Sequence, residues 1–279
     1  MKFLKTAIVT GSSSGFGELI AIELAKSGYT VVATMRNLQK KGSLLKAAAA
    51  ESVTDKITVF PLDVTLQDSI EEFKDFVGSL VSVELLVNNA GYAQGGFCEE
   101  LSVDEYRKQF ETNFFGVIAV TQALLPSMRK QESGKIINMS SISGRFGFPG
   151  LSAYVASKYA LEGYSESLRL ELKPFGIDVV LVEPGSYRTN IWQSIDNISI
   201  QEDSPYEKSM AAILNEMKSS EASYGDPRDV AKLITKIATS ASEPDLRYPI
   251  GKGVKNMIRL KNLLPWKAIE KMVINKLKI

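Results

Sequence analysis

Through its first 185 residues the chain repeats one pattern, a short apolar run followed by an amphipathic stretch of helical period. The runs are Thr6–Thr10, Thr30–Thr34, Ile57–Pro61, Leu85–Asn88, Lys135–Met139 and Asp178–Glu183. Helical patterns fall between them over Gly17–Ser27, Leu66–Leu80, Val103–Gln131 and Ala153–Pro174. Regular strand–helix alternation reads as an α/β fold, a parallel sheet covered by helices on both faces. Strand spacings of about 25–40 residues suit right-handed crossovers. Neither a linker nor a repeat interrupts the pattern, so residues 1–251 are expected to form one domain. From Ser186 to Asp226 the periodicity weakens, and a long irregular insertion after a strand end is expected to be a substrate-binding loop or lid. Helix is expected again over Pro227–Ala241, then a strand at Arg247–Ile250.

Absences narrow the chemistry. The 279 residues include no histidine and one cysteine, Cys98. That excludes a disulfide within the chain, the usual zinc sites and histidine-based triads. Cys98 is expected to be a buried or half-buried bystander. No apolar run approaches the ~20 residues that cross a bilayer, and Met1–Lys5 leads into a strand without a cleavage site, so a cytoplasmic location is expected. A net charge of +1 argues against nucleic acid as a partner. The charge is uneven, however. Residues 252–279 carry eight Lys or Arg and one acid, Glu270, for +7, which leaves −6 on the rest.

A glycine-rich turn, Thr10-Gly11-Ser12-Ser13-Ser14-Gly15-Phe16-Gly17, follows the first strand and opens the first helix. Glycines there allow a tight turn and let backbone N–H groups approach a pyrophosphate at the helix N-terminus. After the second strand, Met35-Arg36 replaces the acid that would bind a free ribose hydroxyl. The Arg36 guanidinium suits a 2′-phosphate, with Ser12 able to assist, so NADP(H) is expected rather than NAD(H).

Tyr154 and Lys158 stand four residues apart, on one face of a helix, and Ser141 precedes the tyrosine by thirteen positions. A phenol of pKa ~10 is a poor acid–base group at neutral pH. A neighbouring ammonium is expected to lower that value, and the serine hydroxyl to hydrogen-bond the substrate oxygen.

With these motifs in order, the chain resembles the short-chain dehydrogenase/reductase family, in its compact single-domain branch, over about Thr6–Thr189. TGSSSGFG at 10–17, Asn88-Asn89-Ala90-Gly91, Asn113 in Thr-Asn-Phe-Phe-Gly, Ser141, the YxxxK pair and Pro184-Gly185 with Thr189 carry the resemblance. It implies a Rossmann-like, doubly wound parallel β-sheet. It also implies catalytic roles for Asn113, Ser141, Tyr154 and Lys158. The implied cofactor contacts are Gly11, Ser12, Ser13, Ser14, Gly15, Phe16, Gly17, Arg36, Asp63, Val64, Asn89, Ala90, Gly91, Tyr154, Lys158, Pro184, Gly185 and Thr189. For Asn89 and Gly91, scaffold and direct contact are equally open. Asn113 would anchor a water linking Lys158 to solvent. Ser140 and Ser143 compete with Ser141, but Ser140 is expected to be structural.

The implied reaction is reversible hydride transfer between nicotinamide and a carbonyl or secondary alcohol. A non-catalytic NADP-binding sensor and a membrane-surface lipid-handling protein are the alternatives. Tyr92, Phe97, Phe146, Phe148, Leu151, Tyr187, Ile191 and Trp192 lie near motif ends and are expected to form an apolar wall for a bulky hydrophobic substrate. The Thr34-Met35-Arg36 strand end and the long C-terminal extension are similar to hydroxysteroid- and retinol-dehydrogenase-like members. That extension, 252–279, places apolar residues between lysines in Val254–Leu264 and Trp266–Leu277. It is expected to dock on the body or cover the pocket, to lie on an anionic membrane surface, or to be disordered. A homo-oligomer through the helices bearing Asn113 and Tyr154 is expected.

Overall fold

The computed structural model describes residues 5–189 and 203–277. Seven strands form one parallel sheet in the order β3-β2-β1-β4-β5-β6-β7. They are β1 (Thr6–Val9), β2 (Thr30–Met35), β3 (Ile57–Pro61), β4 (Leu85–Asn88), β5 (Gly134–Met139), β6 (Ile177–Pro184) and β7 (Arg247–Ile250). Side chains alternate between the two faces. Ala7 and Val9 of β1 pack on one face with α1 (Gly15–Lys26), while Ile8 between them packs on the other with α3 (Gln67–Gly78). This produces two cores. The first takes Ile20 and Leu24 of α1, Leu44 of α2 (Lys41–Ala50) and Val230 and Ile234 of a later helix, Pro227–Thr239. The second takes Phe73 of α3, Leu124 and Met128 of α5 (Gly116–Gln131) and Leu168 of α6 (Ser152–Leu172).

The doubly wound sheet is the one expected, with three differences. Helix α2 lacks an apolar stripe, burying only Leu44 and Ala48, and so escaped a reading based on periodicity. The pattern over Val103–Gln131 is helical throughout but divides into α4 (Val103–Phe110), a π-helical turn at Glu111–Phe115, and α5. The segment expected to be irregular contains helix α7 (Glu207–Ser220), of which Met210 alone is buried. With so little of α7 facing a core, no stripe marks it. Helix Pro227–Thr239 is α8, and the extension forms α9 (Val254–Leu263) and α10 (Trp266–Leu277).

The extension is docked. Val254 and Ile269 are buried in a small cluster with Ile142 and Phe146, and Lys276 of α10 pairs with Glu216 of α7 at 2.9 Å. No described helix is long and apolar enough to cross a membrane.

A polar ladder runs from β4 to β5 on the face covered by α5 and α6. The Asn88 amide donates to Thr121 (3.1 Å) and to Asn138 Oδ1 (2.9 Å), and Asn138 donates to Ser165 (2.9 Å). All four are buried, so each bond lost leaves a polar group without water, at about 1–3 kcal/mol. Asn138→Leu is therefore expected to lower unfolding free energy by about 2 kcal/mol or more in urea titrations, although it adds apolar surface.

Candidate active site

At the C-terminal ends of β1 and β4 the strand order reverses, and such a switch opens a crevice. Here the crevice is a cavity of about 950 Å³. Its floor is set by a close approach. Gly11 is left-handed (φ +68°), and a Cβ on it would lie 2.8 Å from Ala90 Cα. Asn89 fixes that approach, its amide donating to the carbonyls of Thr10 (2.8 Å) and Gly11 (3.2 Å). Thr10 Oγ1 accepts from the main-chain N–H of both Asn89 and Ala90, each at 2.9 Å. A Cβ on Gly17 would meet the Gly11 carbonyl oxygen at 2.3 Å. Ser14, the N-cap of α1, makes no side-chain cap bond, so the helix N-terminus keeps its free N–H groups for a ligand.

The cavity gathers most of the residues expected from sequence: Gly11, Ser13, Ser14, Gly15, Phe16, Arg36, Asp63, Val64, Asn89, Ala90, Gly91, Ser141, Tyr154, Lys158, Pro184, Gly185 and Thr189. Three stand apart. Ser12 is fully buried and donates to the Val9 carbonyl at 2.8 Å, so it braces the turn instead of facing a phosphate. Gly17 acts by permitting the close packing of α1. Asn113, in the π-helical turn, is buried with its amide engaged: Oδ1 accepts from Tyr92 N (3.1 Å), and Nδ2 donates to Tyr92 O (2.9 Å) and Ser157 Oγ (3.4 Å). Its side chain holds the Tyr92 loop against α6 and does not line the cavity. Lys40, missed in the sequence because it falls just past the Arg36 strand end, lines the cavity with Arg36.

Tyr154 and Lys158 project from α6 and are buried. Burial pushes the Tyr154 phenol up to about 12, and a hydrogen bond with Ser141 works against it. The expected lowering by Lys158 is not what dominates. The ammonium lies 5.7 Å from the tyrosine ring centroid and donates to the Met139 carbonyl at 2.7 Å. Burial draws its own value down to about 8, with the Glu162 carboxylate opposing. Ser141 Oγ accepts from Ser143 N at 3.1 Å, which fixes its orientation. Ser140 donates to Glu162, in keeping with a structural role.

Of the expected apolar wall, Tyr92 and Tyr187 line the cavity. Phe146 packs with the extension, Phe148 against Phe146 at 5.3 Å, and Phe97 stacks on Tyr206 at 4.4 Å. Leu151 sits at the start of α6. Ile191 and Trp192 lie outside the described residues. Cys98 is exposed, not buried as expected.

Behind Lys158 lies an acid pair that sequence reading missed. Glu162, one turn on, accepts from Arg247 Nε at 2.9 Å. Glu183, at the end of β6, is fully buried and pairs with Arg145 at 3.1 Å and Arg247 at 3.4 Å, while its Oε2 has no partner among the described residues. Burial, then repulsion by Glu162, pushes Glu183 up to about 7.

Comparison with known proteins places this site in a family. Residues 5–198 match the short chain dehydrogenase family, and the chain belongs to it. It is 50% identical over 276 residues to the uncharacterized oxidoreductase YusZ of Bacillus subtilis, covering 98% of each chain. It is 36% identical to retinol dehydrogenase 8 of Bos taurus (94% of this chain, 86% of the relative). It is also 36% identical to 3-ketodihydrosphingosine reductase of Bacteroides thetaiotaomicron (92% of each). A crystal structure of a short-chain dehydrogenase from Streptomyces avermitilis superposes with a TM-score of 0.78 at 33% identity, over 97% of this chain and 98% of that one. ElxO with NADP bound gives 0.75 at 27% identity, over 91% of this chain and all of the other. The protein is thus an oxidoreductase of the short-chain dehydrogenase/reductase family.

A raised carboxyl pKa binds its proton in the folded state above the range where the unfolded chain has released it. Stability from Glu183 is therefore complete below its ordinary value of 4.5 and declines as pH rises through about 7. The slope approaches ~1.4 kcal/mol per pH unit for one proton. Glu183→Gln is expected to flatten the fall in unfolding free energy between pH 5 and 7, measured by urea titration at each pH.

Proposed function

We propose that this protein is an NADP(H)-dependent oxidoreductase acting on a carbonyl or secondary alcohol of a bulky hydrophobic molecule. The observation that carries the reading is the convergence of Ser141, Tyr154 and Lys158 on the cavity that also receives the glycine turn of α1. The residues fit a dinucleotide. The turn packs too close to Ala90 for a Cβ at Gly11 and lines the cavity with Gly11 and Gly15, and Thr189 Oγ1, buried at the far end of the motif set, has no partner among the described residues. Gly11, Ser13, Ser14, Gly15 and Phe16 at the N-terminus of α1 would hold the diphosphate, Asp63 and Val64 the adenine, and Pro184, Gly185 and Thr189 the nicotinamide end. Arg36 and Lys40, both exposed at the β2 end of the cavity, offer two cations to a 2′-phosphate. ElxO, a solved relative with NADP bound, supports the same choice.

The cofactor, when bound, supplies or accepts the hydride. The chain's own residues handle the proton. A phenol held near 12 is protonated at neutral pH, so Tyr154 is ready to give its proton to the substrate oxygen in reduction. Ser141 hydrogen-bonds that oxygen as charge develops on it. Lys158, held at Met139 O, supplies positive charge beside the phenol, and Glu162 helps it keep its proton. Two relatives named for retinol and 3-ketodihydrosphingosine support a lipophilic substrate.

Tyr154→Phe is expected to reduce turnover about 10²–10⁴-fold while NADPH still binds, read by nicotinamide absorbance and by fluorescence titration. Wild-type turnover in that variant would remove the assignment. Arg36→Ala with Lys40→Ala is expected to raise KM for NADPH about tenfold or more and leave NADH unaffected. Equal losses with both cofactors would remove the 2′-phosphate reading. Glu162→Gln is expected to move the alkaline limb of the reductive pH profile, set by Lys158 near 8, to lower pH.

A further inference from the structure

The docked extension has two faces, and only one is accounted for. Inward, Val254 and Ile269 seal Ile142 and Phe146, just beyond Ser141. Lys261 bonds the Arg145 carbonyl and Tyr159 Oη and lies 5.2 Å over the Tyr159 ring. Outward, Leu263 is 81% exposed, Trp266 59% and Leu260 41%. Among these apolar side chains stand Lys255, Arg259, Lys267 and Lys271, all exposed and without a carboxylate partner among the described residues. The other tail cation near an acid, Lys276, is taken by Glu216.

We propose that the outer face of α9 and α10 is a docking surface for an anionic lipid bilayer. Apolar side chains left in water beside unpaired cations have no use in a face that only covers a core. Both gain where headgroup phosphates and acyl chains lie together. Charge decides the occupant: the body carries −6, the segment +7. A nucleic-acid surface could meet the cations, but it would leave Leu263 and Trp266, which flank the Pro265 bend, without an apolar medium. A single docked face brings the wall beside Ser141 up to the membrane, where a lipophilic substrate resides. The surface itself is read from the extension and does not rest on the proposed reaction.

The test is co-sedimentation of the full-length protein with phosphatidylcholine vesicles, with and without about one-third phosphatidylserine, at low and high salt. Two variants accompany it: Lys255→Gln/Arg259→Gln/Lys267→Gln/Lys271→Gln, and Leu263→Gln/Trp266→Gln. These side chains are exposed, so both variants are expected to keep the thermal midpoint and NADPH binding of the wild type. Wild-type protein is expected to pellet with anionic vesicles, less at high salt, and little with phosphatidylcholine alone. Each cation contributes about fivefold, so the four-charge variant should bind at least about a hundredfold more weakly, and the apolar variant about tenfold. A wild type that stays in the supernatant at low salt, or variants that pellet as it does, overturns the proposal. So does a dimer in gel filtration that both variants dissolve, since that face would then belong to a second copy. NADPH turnover is measured separately, so failure of the surface and failure of the enzymatic reading are distinguishable.

Discussion

Everything in the site depends on how closely the ends of β1 and β4 approach. Gly11 and Ala90 come within a distance that no Cβ on Gly11 would permit, and Asn89 and Thr10 hold them there with four hydrogen bonds. That contact fixes the floor of the cavity and the direction of α1, whose free N–H groups then point into it. The Asn89 amide serves the scaffold, and the same residue borders the cavity. Scaffold and contact are therefore not competing descriptions of this asparagine, because the geometry that binds is produced by the bonds that brace.

A second constraint acts on the proton chemistry. Placing a phenol and an ammonium on the buried face of α6 disfavours both of their charged forms, and the two values move toward each other's side of the scale, about 12 and about 8. Burial alone would draw the Lys158 value lower still. Glu162 opposes this from the next turn, and Arg247 in turn holds Glu162 while also reaching Glu183. Glu162 thus sustains the ammonium, while Arg145 and Arg247 hold the two acids beneath the site. The ordinary expectation that the lysine depresses the tyrosine leaves out the desolvation that both side chains share.

Much of this was legible in the sequence, for identifiable reasons. Strands such as Leu85–Asn88 are apolar throughout because both faces are covered, and the glycine turn, YxxxK and Asn88–Gly91 sit at strand ends where topology must bring them together. What escaped depends on contacts between segments distant in the chain. Ser12 reads as a phosphate ligand until its hydroxyl is found on Val9. Asn113 carries no local sign that Tyr92 occupies both ends of its amide. Glu183 carries no local sign of its neighbours Arg145 and Arg247, 38 residues before it and 64 after it. Helix α7 buries a single side chain and so leaves no stripe to read.

The extension shows why amphipathicity alone underdetermines a role. The sequence allowed a docked segment or a membrane-facing one as alternatives. A helix presents several faces, however, and α9 uses one for Val254 and Lys261 while Leu260 and Leu263 remain in water. Docking consumes the inner apolar positions and fixes the helix rotation, and that rotation is what leaves Leu260, Leu263 and the neighbouring cations exposed. The inner contact is thus the condition that makes an outer one possible, because an undocked segment would turn its largest apolar face to lipid and carry no fixed relation to the active site.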